Sequence, residues 1–275
     1  EVAGRLGADW SHNPGIELFR VNNKIISNCT KCNLSWTSNF KQPNYSDYHY
    51  DETYSLSNDL FENLFERLYQ ISEKYRSEGN VFEIGCSVGN LLKVFRRHGW
   101  KVAGIEPSKK AVQIANSQKL NTILGKFEEI SLKTNSYDLV ILSQTFEHMD
   151  NPLNTLTKVR KILKRDGLIL IGVPNFGSLS AKILGKHWYY ILPDEHKWHF
   201  TPKSLYKLLS KAGYSPLEYQ AVSGILDYGY PLKELYLSLK GLKKRFVLEA
   251  LTMIPSLIVS KLNIGTGLVV VARRD

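Results

Sequence analysis

The chain has 275 residues, 43% of them hydrophobic, 11% aromatic and 23% charged, a texture of folded globular proteins that excludes intrinsic disorder, collagen and a coiled-coil rod. Lysine and arginine outnumber aspartate and glutamate by 36 to 26, and the net charge of +10 admits nucleic acid, anionic lipid or an acidic substrate without choosing among them. The longest strongly apolar stretch, residues 246–260, is interrupted by Glu249 and Pro255 and falls short of the ~20 apolar residues of a membrane span.

Residues 1–50 are Asn-rich and aromatic and read as an irregular extension. Cys29 and Cys32 form one Cys-x-x-Cys, half of a zinc ribbon. A structural zinc site needs four ligands. Asp9 and His12 stand upstream at matching internal spacing, but a second Cys-x-x-Cys is absent, so the pair reads as a degenerate zinc ribbon or as two buried thiols in a turn, and no metal is expected. With Cys86 the cysteines number three, too few for a disulfide framework. The chain opens on Glu1 with no secretory signal, and a reducing cytoplasm is the expected compartment.

Residues 51–78 form a helical connector, with Leu60, Phe61, Leu64, Leu68 and Ile71 recurring at three- and four-residue steps over 58–76. From residue 79 to 275 the texture is that of one larger domain. Short apolar strands over 81–84, 100–105, 121–124, 137–142 and 168–173 alternate with helices over 90–98, 109–118 and 152–163, and a tight turn is expected at 164–167. Such alternation predicts parallel βαβ units and a doubly wound α/β sheet. Residues 176–200 are dense in aromatics and histidines. A helix over 201–212, stopped by Gly213, a strand over 215–222, a helical insertion over 231–262 and a strand over 266–272 complete the chain.

The chemistry concentrates at Glu83-Ile84-Gly85-Cys86-Ser87-Val88-Gly89-Asn90. Glycines between a strand and a helix let the backbone approach a ligand, and the helix offers free N–H groups. The dinucleotide fingerprint G-x-G-x-x-G fails twice, at Ser87 and at Asn90, while Glu83 puts a carboxylate where a cationic amine would lie. Glu106 follows Gly85 by 21 residues, the spacing that brings an acid to the neighbouring strand tip, able to accept both hydroxyls of a ribose.

In this order and spacing, residues 80–214 resemble the class I S-adenosylmethionine-dependent methyltransferases, in the branch acting on small molecules, lipids and sugars. Further matching segments are Phe146-Glu147-His148-Met149-Asp150-Asn151-Pro152, the Lys164-to-Gly167 turn, and His196 to Phe200 followed by Thr201-Pro202. The resemblance implies a Rossmann-like fold of seven strands, mostly parallel with the last antiparallel, and S-adenosylmethionine as cofactor. It implies that Glu83 and the backbone of Gly85, Cys86, Ser87 and Gly89 hold the methionine portion, with Cys86 itself a small packing residue. It assigns the ribose to Glu106, with Pro107 beside it, and the adenine to Phe127 and Glu128, for whose ring core packing competes. Ser143 and Gln144 would line the wall nearest the reactive methyl. The family usually carries glycine where Ser87 stands, and its Cβ narrows the approach to the amino-acid end.

Three histidines compete as general base, because imidazole titrates near neutrality. His196 is favoured over His199, both in the segment where family members build the acceptor pocket. His148 belongs to a Glu-His pair that is often a structural hinge. Trp188, Tyr189 and Tyr190 read as pocket wall. The expected function is O-methylation of a sugar, glycolipid precursor or other small hydroxylated metabolite, with a lipid-linked sugar among the acceptors. A tRNA or rRNA methyltransferase is the alternative from another substrate class, favoured by the charge. The strand after Asp138, however, ends Ser-Gln-Thr-Phe without the Pro-Pro-aromatic signature of base-amine enzymes, and nucleic acid is not the expected partner. A scaffold that binds cofactor without catalysis is a third reading. Leu235, Leu239, Leu242 and Phe246 beside Lys233, Lys240, Lys243, Lys244 and Arg245 make residues 232–246 a basic amphipathic stretch suited to an anionic membrane surface or to a lid or dimer helix.

Overall fold

A computed structural model describes residues 15–44, 58–227, 229–240 and 244–275. The first of these is not irregular. Strands β1 (Ile16–Val21), β2 (Lys24–Asn28) and β3 (Ser35–Ser38) pair antiparallel in sequence order. Val21 faces Lys24 across a two-residue turn, in which Asn22 takes a left-handed φ of 52°. Asparagine tolerates that region, and two-residue hairpins demand it. Asn33 and Asn39, at φ 62° and 56°, end the turn after Cys32 and the strand β3 in the same way. The Asn-rich composition therefore marks turns between short strands, which corrects the expectation of an irregular extension over residues 16–38. Asp9 and His12 lie outside the described residues.

The remaining elements run α1 (Asn58–Glu73), β4 (Asn80–Ile84), α2 (Asn90–Arg97), β5 (Lys101–Glu106), α3 (Lys109–Ser117), β6 (Asn121–Leu124), β7 (Tyr137–Ser143), α4 (Pro152–Ile162), β8 (Leu163–Pro174), α5 (Leu179–Leu184), β9 (Trp198–His199), α6 (Pro202–Lys211), β10 (Tyr214–Val222), α7 (Pro231–Lys240), α8 (Lys244–Lys261) and β11 (Gly267–Arg274). Seven strands form one sheet in the order β10-β11-β8-β7-β4-β5-β6, and only β11 runs antiparallel to its neighbours. The chain leaves β4 toward β5 and β6 on one side and returns to β7 on the other. That makes the β4–β7 boundary the switch point where open α/β sheets bind ligands.

Alternation along the strands sorts the core. Phe82, Ile84, Val140, Leu142, Ile169 and Ile171 pack with Leu156 and Val159 of α4 and Leu205 and Leu208 of α6, and Cys29, Cys32 and Leu34 join the same cluster. Val81, Leu139, Ile141 and Leu170 pack instead with Leu68 and Ile71 of α1 and Leu91, Val94 and Phe95 of α2. Each such side chain contributes roughly 1.5–3 kcal/mol on burial. The turn expected at 164–167 is a bulged excursion inside β8. Tyr137 faces Leu163 but Leu139 faces Leu168, and Asp166 sits at φ 60°. The Asp138 carboxylate pins it, accepting from Lys164 Nζ at 2.6 Å, Asn80 N at 2.9 Å and Arg76 Nη1 at 3.1 Å.

Residues 176–200 contain α5 and a single 3-10 turn before β9, which pairs with β3 through Ser35–His199 and Trp36–Trp198. The N-terminal strands are thus completed by the segment expected to face the acceptor. A reciprocal capping box of Thr201 and Ser204 then starts α6.

Candidate active site

The turn between β4 and α2 is shaped by close approach. Gly85 has φ +72°, and a Cβ there would stand 2.5 Å from Thr145 Oγ1; Gly89 has φ +80°, and a Cβ would meet Leu120 Cδ1 at 2.2 Å. Only glycine fits either position. Ser87 lies between them at φ 48°, a left-handed residue with a side chain. Cys86 points away from the turn, packed with Leu92, Ala115 and Leu120 and seated against Gly104, so it contributes backbone only.

Two carboxylates flank this turn. Glu106, at the tip of β5, accepts from Ser87 N at 3.0 Å and from Ser108 N at 2.9 Å, one bond to each oxygen. Burial raises its pKa above the usual carboxylate value, although the two amides oppose the shift. A carboxylate has about four acceptor positions, so about two remain for hydroxyl donors. Glu83, one residue before the end of β4, is buried with its Oε2 lacking any hydrogen-bond partner. Burial, and secondarily the charge of Glu106, pushes it up to about 8. An orphaned acidic oxygen costs free energy until a cationic donor reaches it. That oxygen fits an ammonium group and the remaining acceptor positions of Glu106 fit a diol, so these residues fit S-adenosylmethionine.

The other expected cofactor residues are placed unevenly. Pro107 is half-buried beside Glu106. Phe127 is fully inside the core, with Lys158 Nζ 4.9 Å from its ring centroid, while Glu128 is exposed. Core packing therefore accounts for the Phe127 ring. At the end of β7, Ser143 is half-buried and Gln144 exposed in a left-handed conformation (φ 52°), its N–H donating to Gly172 O at 2.7 Å.

The three histidines separate into two environments. His148, on a 3-10 turn over Phe146–His148, and His196 bring their rings to 4.9 Å in an edge-on contact. His148 Nδ1 bonds Glu195 O at 2.7 Å and His196 Nδ1 bonds Tyr190 O at 3.0 Å. His196 Nε2 faces Glu147 Oε1 at 4.0 Å. Glu147 is buried with neither carboxylate oxygen hydrogen-bonded to another residue, and burial pushes it up to about 8. Burial, and next His148, pulls His196 down to about 4. His199 lies elsewhere, fully buried on β9 and pulled down to about 3 by burial and then by His196. The Thr37 hydroxyl donates to His196 O at 2.8 Å, so the 3.0 Å contact between His199 Nε2 and Thr37 Oγ1 has the imidazole as donor.

Trp188, expected on the pocket wall, is buried with Ile26, Ala181 and Ile191 under the small sheet, its Nε1 donating to Ser180 Oγ at 3.1 Å. Its bulk is needed there to cover Ile26. Tyr189 and Tyr190 remain exposed. Glu147 and Thr37 were not among the expected site residues. Glu147 was visible beside His148, whereas nothing local marks Thr37. A groove of about 180 Å³ lies against Ser180, the partner of Trp188, and is lined further by Leu179, Ile183, Ser223, Val259, Ile264 and Thr266.

The methyltransferase domain family matches residues 56–219, more than half of the chain. A ubiquinone biosynthesis O-methyltransferase of Cereibacter sphaeroides is 27% identical over 150 residues, 50% of this chain and 61% of that protein. The C-methyltransferase NovU of Streptomyces niveus is 26% identical over 219 residues, 77% of this chain and 50% of that protein. The matches thus span only half to three-fifths of these relatives' own length. Among solved structures, a SAM-dependent methyltransferase of Thermotoga maritima, titled a possible histamine N-methyltransferase, shares the fold with a TM-score of 0.55 at 19% identity, over 82% of this chain and 94% of that one. The fold agrees with the sequence match, and the chain belongs to the methyltransferase domain family, with S-adenosylmethionine as its cofactor.

Proposed function

We propose that this chain moves the methyl group of S-adenosylmethionine to a hydroxyl of a small sugar-like acceptor, of which a lipid-linked sugar is the sharpest fit. The bound cofactor supplies an electrophilic methyl on a sulfonium, which leaves the protein to position the partners and remove the acceptor's proton. Glu83 holds the ammonium group, the backbone of residues 85–89 lies against the methionine portion, and the free acceptor positions of Glu106 take the ribose. Glu128 lies toward the adenine, and Ser143 and Gln144 line the wall near the methyl. The proton is removed at the cluster of His196, Glu147 and His148, with His196 as the base. His199, tied to Thr37, positions the segment instead.

One observation supports this reading: a single short segment after β7 touches both the glycine turn and the histidine cluster. Thr145 stands against Gly85, and two residues later Glu147 faces His196. Exposed Tyr189 and Tyr190 offer faces for a sugar ring. The groove, lined by Leu179 and exposed Ile183 of α5 and by Val259 of α8, suits an acceptor with a hydrocarbon tail. Exposed Leu232 and Tyr236 on α7 support peripheral contact of residues 232–246 with an anionic membrane, and no described helix is long and apolar enough to cross one. Transfer to carbon is the second reading, favoured by the longer alignment with the relative named a C-methyltransferase.

The test pairs calorimetry with a screen. S-adenosylhomocysteine should bind, and Glu106→Ala should weaken it by ~1.5–3 kcal/mol, the loss expected for hydrogen bonds to a charged group. Nucleotide-sugars and lipid-linked sugars incubated with methyl-labelled cofactor should yield an O-methyl product, which NMR distinguishes from a C-methyl one. Absent cofactor binding defeats the enzyme reading, and salt-dependent binding of RNA with methyl incorporation into it would replace the acceptor class.

A further inference from the structure

We propose that Glu147, His148 and His196 form a binding site for one divalent transition-metal cation of the zinc, manganese or cobalt type. The three residues converge from two segments. Glu147 and His148 share the single turn that follows β7, and His196 comes from the chain between α5 and β9. One ligand atom from each lies within 4.8 Å of the others. A metal at ordinary bond lengths draws its ligand atoms to about 3–3.5 Å from one another, so small side-chain rotations close the shell.

Two independent features point to a cation. The first is the Glu147 carboxylate, 1% exposed, with neither oxygen hydrogen-bonded to another residue. A buried carboxylate in that condition is either a proton carrier or half of an unfilled charge pair, and no described lysine or arginine forms an ion pair with it. The second is the tethering of both imidazoles. Each anchors Nδ1 on a backbone carbonyl, His148 on Glu195 O and His196 on Tyr190 O. Metal-binding histidines are oriented by this kind of outer bond, which fixes the ring and aims the other nitrogen. In His196 that other nitrogen, Nε2, already faces Glu147.

Two imidazoles and one carboxylate suit transition metals rather than calcium or magnesium, which prefer oxygen ligands alone. Three protein ligands leave positions open for water or a substrate oxygen, as in sites that do chemistry. The inference deepens the proposed reaction at the same cluster. With a cation bound, His196 would be a ligand and the metal would acidify an acceptor hydroxyl, whose proton would pass to bulk water as the oxygen takes the methyl; in the metal-free protein His196 remains the base. Cys29 and Cys32 lie in the core cluster of the main sheet and take no part.

The experiment uses the whole chain, stripped with chelator and titrated with cobalt(II) while visible absorption and heat are recorded. One cobalt per chain is expected, with bands of nitrogen and oxygen ligation and without the near-ultraviolet charge-transfer band of a thiolate. Glu147→Gln keeps the shape and removes the charge, and it should weaken binding at least tenfold, as should His196→Ala, while Cys29→Ser retains it. Cobalt should raise the melting temperature of the wild type and leave that of Glu147→Gln unmoved, a readout that also reports folding. Failure of the wild type to bind cobalt overturns the site, and so does equal binding by folded Glu147→Gln or a thiolate band that survives it. S-adenosylhomocysteine affinity measured alongside stays intact if only the metal proposal fails, and vanishes if the methyltransferase reading itself is wrong.

Discussion

The cofactor half of the site is held together by neighbours in sequence, whereas the acceptor half depends on pairings across much of the chain. Glu83, the glycine turn and Glu106 all fall within β4, α2 and β5, and the bond that joins turn to acid, Ser87 N to Glu106, spans 19 residues. Across the site, His148 is fixed by Glu195 at a separation of 47, and Thr37 reaches His196 O and His199 over 159 and 162. A ligand site built on one strand-turn-helix unit forms whenever that unit forms. A site whose histidines are positioned by a separate small sheet forms only when the sheet has docked. The two halves are therefore expected to fail independently.

The largest expected effect tests that independence directly. His196→Ala should lower methyl transfer by ~10²–10⁴-fold, the range for losing a general base, and leave S-adenosylhomocysteine affinity close to wild type. Turnover and binding measured on the same preparation decide it. A parallel loss of affinity would show that the halves are one unit, and full activity would move the role to His148 or His199.

Next in size is a pH effect confined to the cofactor half. Burial raises Glu83 from its ordinary value of 4.5 to about 8, with the charge of Glu106 adding to it and the raised thiol of Cys86 close by. In the unfolded chain it ionises near its ordinary value, so between about pH 4.5 and 8 the folded state holds a proton that the unfolded state has released. Its contribution to stability is complete below that window and declines as pH rises through it. Compared at pH 5 and pH 8, Glu83→Gln should gain a few kcal/mol on the ligand-free wild type, in proportion to the shift, and should bind S-adenosylhomocysteine poorly at both. Parallel denaturation profiles for the two proteins across that range would mean that Glu83 is ionised and paired without ligand.

The acceptor half has its own probe at Thr37. Thr37→Val preserves the shape of a buried side chain but deserts His199 Nε2 and His196 O together, which costs ~1–3 kcal/mol. Chemical denaturation should show that loss, and turnover should drop while cofactor affinity holds. Unchanged stability would mean that water or another group satisfies both partners.

The same contrast explains what the sequence revealed. The order of strands, the glycine turn, Glu83 and Glu106 were readable because each rests on periodicity or spacing within some 25 residues. The small sheet was not readable. Its first three strands are four to six residues long, its asparagines look like irregularity until their left-handed φ values are known, and its two-residue fourth strand lies far away at Trp198–His199. The packing of Trp188 is hidden for a related reason, because an aromatic near a candidate pocket gives no sign of which side it faces until Ile26 is brought beside it. Glu147 escaped notice as a site residue because a carboxylate beside a histidine looks exposed on paper, and only burial without a partner makes it unusual.

The smallest effect concerns Ser87, where the chain departs from its family's glycine. At φ 48° an L-residue sits in the left-handed region at a cost of roughly 1–2 kcal/mol, and Ser87→Gly removes that strain. Glycine also widens the unfolded ensemble, which costs roughly 0.5–1 kcal/mol, so the net gain in folding stability should be about 1 kcal/mol or less. Affinity is free of that offset, since both liganded and ligand-free states are folded. The amide of residue 87 still donates to Glu106 in the variant, and the lost Cβ opens the turn on the side of the methionine portion. S-adenosylhomocysteine should therefore bind Ser87→Gly as well as or a few-fold better than wild type in calorimetry, with turnover otherwise governed by His196. Weaker binding would mean that the serine hydroxyl itself contacts the ligand, and the departure from glycine would then be a gain of a polar contact rather than a narrowing of the cradle.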